Sequence, residues 1–197
     1  MIEFVEAILR DPKWAPYYGW HDDHRGKEQT ADYKPAMQQV KAEFIQFVND
    51  AHAWMPMGDG NALQLGMGEC DASHEVWRTL FGHCTTIDWR VVAKDAARWV
   101  GDRVDTKSDR AKKASASFGP YDLLFIDAGH DYHSVRDDHR AYFTMVKPGG
   151  IIAFHDALER PGYPEVKVHE YLRELSQFGY RIELVGSEVG IAWYRTQ

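Results

Sequence analysis

The chain has 197 residues, with 23 Lys and Arg against 30 Asp and Glu, a net charge of −7 and a hydrophobic fraction of 44%. That length suits one domain that buries a core without disulfide or metal staples. An acidic balance with no Lys/Arg cluster among aromatics argues against a nucleic-acid partner, since such binding depends on neutralising several phosphates.

No apolar run approaches bilayer length, so a membrane partner is not expected. The opening MIEFVEAILRD lacks the basic segment and the unbroken apolar block of a secretory signal, and a cytoplasmic protein is expected. Cys70 and Cys84 lack CxxC spacing and read as reduced core thiols.

Up to about Pro56, apolar residues fall at helical spacing in Phe4-Val5-Ile8-Leu9 and in Val40-Phe44-Phe47-Val48. Residues 1–56 therefore read as an N-terminal helical extension or lid, and 57–197 as the main domain. The aromatics Trp14, Tyr17, Tyr18 and Trp20 could close over a substrate or simply pack, and Trp20-His21-Asp22-Asp23-His24 reads as a solvated loop.

From Asn61, short apolar runs alternate with amphipathic segments. ALQLG precedes a helix through Val76 to Phe81, and CTTID precedes one through Val91 to Trp99. A short strand near Arg103 to Thr106 and a helical stretch to Phe118 follow, then the strand YDLLFID, a helix over about 134–145, and KPGG as a turn. The strand GIIAFHD, a helix over about 165–178 and a hairpin of YRIELVG and GIAWYR complete the chain. This rhythm predicts an α/β fold, a mostly parallel sheet covered on both faces, with ligands gathering at the C-terminal strand ends.

The turn LQLGMGECDAS follows a strand and opens a helix, and Gly66 and Gly68 would let the backbone approach a ligand. Asp88 ends the next strand about 20 residues on, where a carboxylate accepts bonds from ribose hydroxyls. Together they point to an adenosine-containing cofactor. Asp71 stands where the dinucleotide fingerprint has its third glycine, which weakens a nicotinamide dinucleotide as the ligand.

The second half reads YDLLFIDAGHDYHSVRDDHRAYFTMVKPGGIIAFHD. With these motifs the chain, over about Asn61 to Tyr194, resembles class I S-adenosylmethionine-dependent methyltransferases, most of all the small-molecule O-methyltransferase branch that includes macrocin O-methyltransferase. The resemblance implies a Rossmann-like, seven-stranded sheet with an antiparallel last strand. It also implies a cofactor site on Gln64, Gly66, Met67, Gly68, Asp88, Trp89, Asp105, Thr106 and Asp127. Gln64 replaces a frequent acid of the family.

By the same resemblance, a divalent cation would be held by Asp127, His155 and Asp156, with His130 as general base beside Asp127. Carboxylates suit Mg²⁺, while His155 would move the preference toward Mn²⁺ or Zn²⁺, or would instead bond the substrate. The plain alternative for His130 is a surface-loop histidine. Asp138, on a helix whose first turn holds Asp137, reads as placed for the helix dipole and not for catalysis. The partner implied is a small-molecule hydroxyl substrate, and an added helical segment of this kind also serves as a homodimer contact. A nicotinamide-dependent oxidoreductase and a non-catalytic S-adenosylmethionine-binding protein stand as alternatives.

Overall fold

The computed structural model describes residues 39–68, 72–88 and 105–197. Expectations for the aromatic and histidine-rich stretches before residue 39, for Cys70 and Trp89, and for the helix through Val91 to Trp99 lie outside the described residues.

The chain enters through α1 (Lys41–Ala51) and a short 3-10 turn (His52–Trp54). It then alternates β1 (Gly60–Leu65), α2 (Ala72–Phe81), β2 (Gly82–Ile87), α3 (Asp109–Phe118), β3 (Tyr121–Ile126) and α4 (Tyr132–Tyr142). The rest is β4 (Val146–His155), α5 (Val168–Gln177), β5 (Glu183–Val185) and β6 (Ile191–Arg195). The order in the sheet is β2-β1-β3-β4-β6-β5. The first four strands run parallel, and β6 lies antiparallel to β4 and to β5. This is the expected Rossmann-like arrangement, with six strands among the described residues where seven were expected. Of the short strand expected near Arg103 to Thr106, the described part, Asp105 and Thr106, belongs to no strand, and a turn there leads into α3.

KPGG does not end an element. Tyr121 pairs with Val146 and Leu123 with Ile151, so the four residues bulge out of a strand that begins before them. Proline and glycine are tolerated there because the bulge leaves the ladder.

Strand residues alternate between two cores. Ala62, Leu123, Phe125, Ile151 and Ala153 face α1 and α2, where Trp77 meets the rings of Phe44 and Phe125 at 4.9 and 5.1 Å. Leu63, Leu65, Leu124, Ile152 and Phe154 face the other side, with Val135 of α4 and Tyr171 of α5. Buried on both faces, such strands read as continuous apolar runs, which is why YDLLFI and GIIAF stand out in sequence.

Two buried polar groups tie these layers together. Glu43 of α1, 4% exposed, accepts the backbone N–H groups of Ser187, Glu188, Val189 and Gly190 at 2.6 to 3.3 Å. The carbonyls of Val189 and Gly190 in turn accept Leu158 N and Ala157 N, directly after Asp156. The N-terminal helix is thereby coupled to the tip of β4. On the other face His139 bridges the hydroxyls of Tyr171 and Tyr194 at 2.6 Å each, and burial lowers its pKa to about 4, so the ring is neutral. Among the described residues, no helix is long and apolar enough to cross a membrane.

Candidate active site

From β1 the chain passes to β2 on one side, and later to β3 on the other. The sheet order therefore reverses at β1, where a crevice opens beyond the strand ends. The three tips are stitched together: Gly66 N donates to Ile87 O and Asp127 N to Leu65 O, both at 2.8 Å. Gly66 has φ +81°, and a Cβ there would sit 1.9 Å from Asp127 O. The turn can lie this close to β3 only as glycine.

Met67 N donates to Asp88 Oδ2 at 2.6 Å, which seats the carboxylate at the mouth of the crevice. Gln64 is used differently from the expectation. It is fully buried, and its Nε2 donates to Gly66 O and Ser73 Oγ at 2.7 Å each, latching the glycine turn to α2.

A cavity of about 550 Å³ occupies the crevice. Gly66, Gly68 and Asp88 line one part, Asp105 and Thr106 another, and Asp127 and His130 a third. Seven of the expected residues thus share one space, within the range usual for small-molecule sites. Met67 and Gln64 support it from behind, and His155 and Asp156 lie next to Asp127 without lining it.

Asp138 corrects the sequence reading. It lies in the middle of α4, 1% exposed, and lines the cavity, while the helix start is capped by Asp131. Burial raises its carboxyl to about 6, the Thr106 hydroxyl donates to Oδ1 at 2.5 Å, and Oδ2 has no hydrogen-bond partner among the described residues. A helix-dipole role at the first turn is excluded by that position.

At the other end stands an ionic cluster. His155 Nδ1 lies 3.0 Å from Asp127 Oδ1 and 3.3 Å from Asp156 Oδ2. His130 Nε2 lies 3.2 Å from Asp156 Oδ2 and 3.6 Å from Asp127 Oδ1. Asp156 holds φ +56°, a left-handed conformation at the end of β4 that turns its carboxylate to this cluster. Lys167 N donates to His130 O at 2.7 Å, tying the His130 loop to the start of α5.

Burial by itself would lower the His155 pKa, but the two carboxylates outweigh it and raise the imidazole to about 10. Burial likewise opposes ionisation of Asp127 and Asp156, and the neighbouring histidines hold both well below the usual carboxylate range. The nearby Asp127 carboxylate raises His130, whose side chain is 40% exposed at the cavity.

These distances fit a cation. Donor atoms of Asp127, His130 and Asp156 all lie within 4.8 Å of one another. Adjacent ligands on one ion, with bonds of about 2.1 Å at right angles, stand about 3.0 Å apart. His130, not His155, is thus the histidine grouped with the two carboxylates, whereas the resemblance put His155 among the ligands. His155 sits beneath the carboxylates with its Nε2 buried.

Gln39 had no signal in the sequence reading. It precedes α1, is 3% exposed, and donates from Nε2 to Asp127 Oδ2 at 2.6 Å.

Residues 62–157 match the model of a family described as a methyltransferase domain. This part of the chain is similar to a methyltransferase domain. The match runs from β1 through Asp156 and so contains both the glycine turn and the ionic cluster. No curated protein matches the sequence of the chain. Its fold resembles solved O-methyltransferases. MycE, the methyltransferase of the mycinamycin biosynthetic pathway, solved with Mg and S-adenosylhomocysteine, superposes with a TM-score of 0.58 at 18% identity over 77% of this chain. The chain spans 48% of MycE, about half its length. A Staphylococcus aureus protein assigned as a caffeoyl-CoA O-methyltransferase gives 0.61 at 16% identity, over 83% of this chain and 86% of that one. TomG from Streptomyces achromogenes, solved with S-adenosylmethionine, gives 0.52 at 13% identity over 83% and 84%. At these identities the likeness is one of fold.

Proposed function

We propose that the protein transfers the methyl group of S-adenosylmethionine to a hydroxyl of a small molecule, with a divalent cation held by the carboxylates of Asp127 and Asp156 and with His130 beside them as the base. The observation that carries this reading is the single cavity lined by the Asp88 carboxylate, suited to ribose hydroxyls, and by the Asp127–His130 pair. S-adenosylmethionine supplies an electrophilic methyl: the acceptor oxygen forms the new C–O bond as the C–S bond breaks, its electron pair staying on sulfur.

The protein's part is alignment and proton transfer. The Gly66 turn and Asp88 hold the nucleoside at the strand tips. His130, whose side chain is partly exposed at the cavity wall, takes the hydroxyl proton as the bond forms. A cation on the carboxylates would polarise that hydroxyl and lower its pKa. His155 serves as the buried countercharge that keeps Asp127 and Asp156 ionised and oriented. The reading is supported by the metal and nucleoside present in the MycE structure and by the net charge of −7, which does not suit a nucleic-acid acceptor. A cytoplasmic setting accords with the buried Cys84 thiol.

The test is methyl transfer from labelled S-adenosylmethionine to a panel of phenols, catechols and sugar hydroxyls. Labelled product is expected with at least one acceptor, falling at least tenfold after EDTA and returning with Mg²⁺ or Mn²⁺. Product formation indifferent to EDTA would remove the cation, and label found only on amines or thiols would remove O-methylation.

A further inference from the structure

The two oxygens of Asp127 are engaged differently. Oδ1 faces the imidazoles, 3.0 Å from His155 Nδ1 and 3.6 Å from His130 Nε2. Oδ2 instead accepts Gln39 Nε2 at 2.6 Å. Chemistry fixes the orientation of this amide, because turning it over would set its carbonyl oxygen 2.6 Å from a charged carboxylate oxygen. The other end of the amide, Oε1, is buried with no hydrogen-bond partner among the described residues. Among the described residues, the bond to Asp127 is therefore the one that orients this amide.

Gln39 is also delivered firmly. It lies one turn before Glu43, whose carboxylate is gripped by four backbone N–H groups of the 187–190 loop. One short stretch of chain thus reaches Asp127 at the tip of β3 and, through that loop, the residues that follow Asp156 at the tip of β4.

We propose that Gln39 is a positioning residue that occupies Oδ2 and makes Asp127 a one-oxygen ligand, selecting small octahedral divalent cations over calcium. The inference rests on the cation reading above. Mg²⁺ takes single oxygens in near-octahedral order at about 2.1 Å, whereas Ca²⁺ takes six to eight oxygens and accepts both oxygens of one carboxylate. Mn²⁺ shares the octahedral oxygen preference and is readily observed by spectroscopy. With Oδ2 drawn to the Gln39 amide, closing both oxygens of Asp127 on one ion is disfavoured, while the second lone pair of Oδ1 stays available for a single bond. Outer partners of this kind typically change metal affinity by about 10–100-fold.

The experiment measures Mn²⁺ binding by electron paramagnetic resonance and Ca²⁺ binding by calorimetry on the full chain, its Gln39→Met variant and its Asp127→Asn variant. S-adenosylhomocysteine affinity serves as the check on fold, since Gln39 does not line the nucleoside cavity. The wild type is expected to bind Mn²⁺ and prefer it to Ca²⁺. Gln39→Met is expected to weaken Mn²⁺ by about 10–100-fold and to lower the Mn²⁺-to-Ca²⁺ preference about tenfold, with nucleoside affinity unchanged. Gln39→Leu, a second apolar replacement, is read in the same way should methionine disturb the packing. Mn²⁺ binding lost in Asp127→Asn but unchanged in affinity and preference in the Gln39 variants overturns this inference alone. A wild type that binds no Mn²⁺, or that keeps it in Asp127→Asn, overturns the cation reading and this one with it.

Discussion

Gly66→Ala is expected to destabilise the protein by more than about 3 kcal/mol and to weaken S-adenosylhomocysteine binding at least tenfold. Two costs combine. A left-handed φ of +81° costs an L-residue roughly 1–2 kcal/mol. The added methyl would lie 1.9 Å from Asp127 O and 2.5 Å from its carbonyl carbon, contacts that neither strand can relieve without breaking the Asp127 N to Leu65 O bond. Overpacking of this kind typically costs a further 1–3 kcal/mol or more. For a chain of this size such a loss lowers Tm by roughly 6–12 °C. Because the clash pushes against Asp127 itself, the damage reaches the ionic cluster as well as the cofactor turn. Thermal melting and nucleoside titration check both effects. A variant with unchanged Tm and affinity would mean that the β1 and β3 tips are not packed together in this way. Gly68→Ala, at φ +75°, is the useful comparison for the backbone cost.

The second large effect is expected at His130. Removing a general base typically costs about 10²–10⁴ in rate, and His130→Ala should lower kcat by that factor. Nucleoside affinity should stay within about threefold, because the imidazole stands at the acceptor end of the cavity, away from Asp88. Steady-state rates with saturating S-adenosylmethionine, beside a nucleoside titration, separate the two. Near-native turnover in His130→Ala would move the proton acceptor elsewhere. A parallel loss of affinity and rate would mean that His130 holds the cofactor.

Much of this was legible in the sequence because it was local. Strands buried on both faces leave continuous apolar runs, and the acids and histidines that follow them mark the strand tips. The glycine turn, Asp88, Asp127, His130 and the His155-Asp156 pair were all readable in this way. What could not be read depended on partners far along the chain. Gln39 reaches Asp127 across 88 residues, and Glu43 reaches Ser187 across 144, yet each looks in sequence like an ordinary polar residue beside a helix. Asp138 was misjudged for a related reason. Taking the start of α4 two residues late put it near the helix start, where a dipole argument applies, whereas the true cap is Asp131 and the helix turns Asp138 into the cavity. KPGG was read by its turn chemistry alone, but pairing on both sides of it makes it a bulge within β4. The division of labour between His130 and His155 also needed coordinates, since depth of burial separates them and residue type does not.

Calorimetric titration of the purified chain with S-adenosylhomocysteine, set beside NADH and beside the Asp88→Ala variant, tests the central claim most directly. One site per chain, lost or weakened at least tenfold in Asp88→Ala and absent for NADH, is the expected result. No heat with the sulfur nucleoside, or binding that survives the loss of Asp88, would contradict the assignment of this cavity.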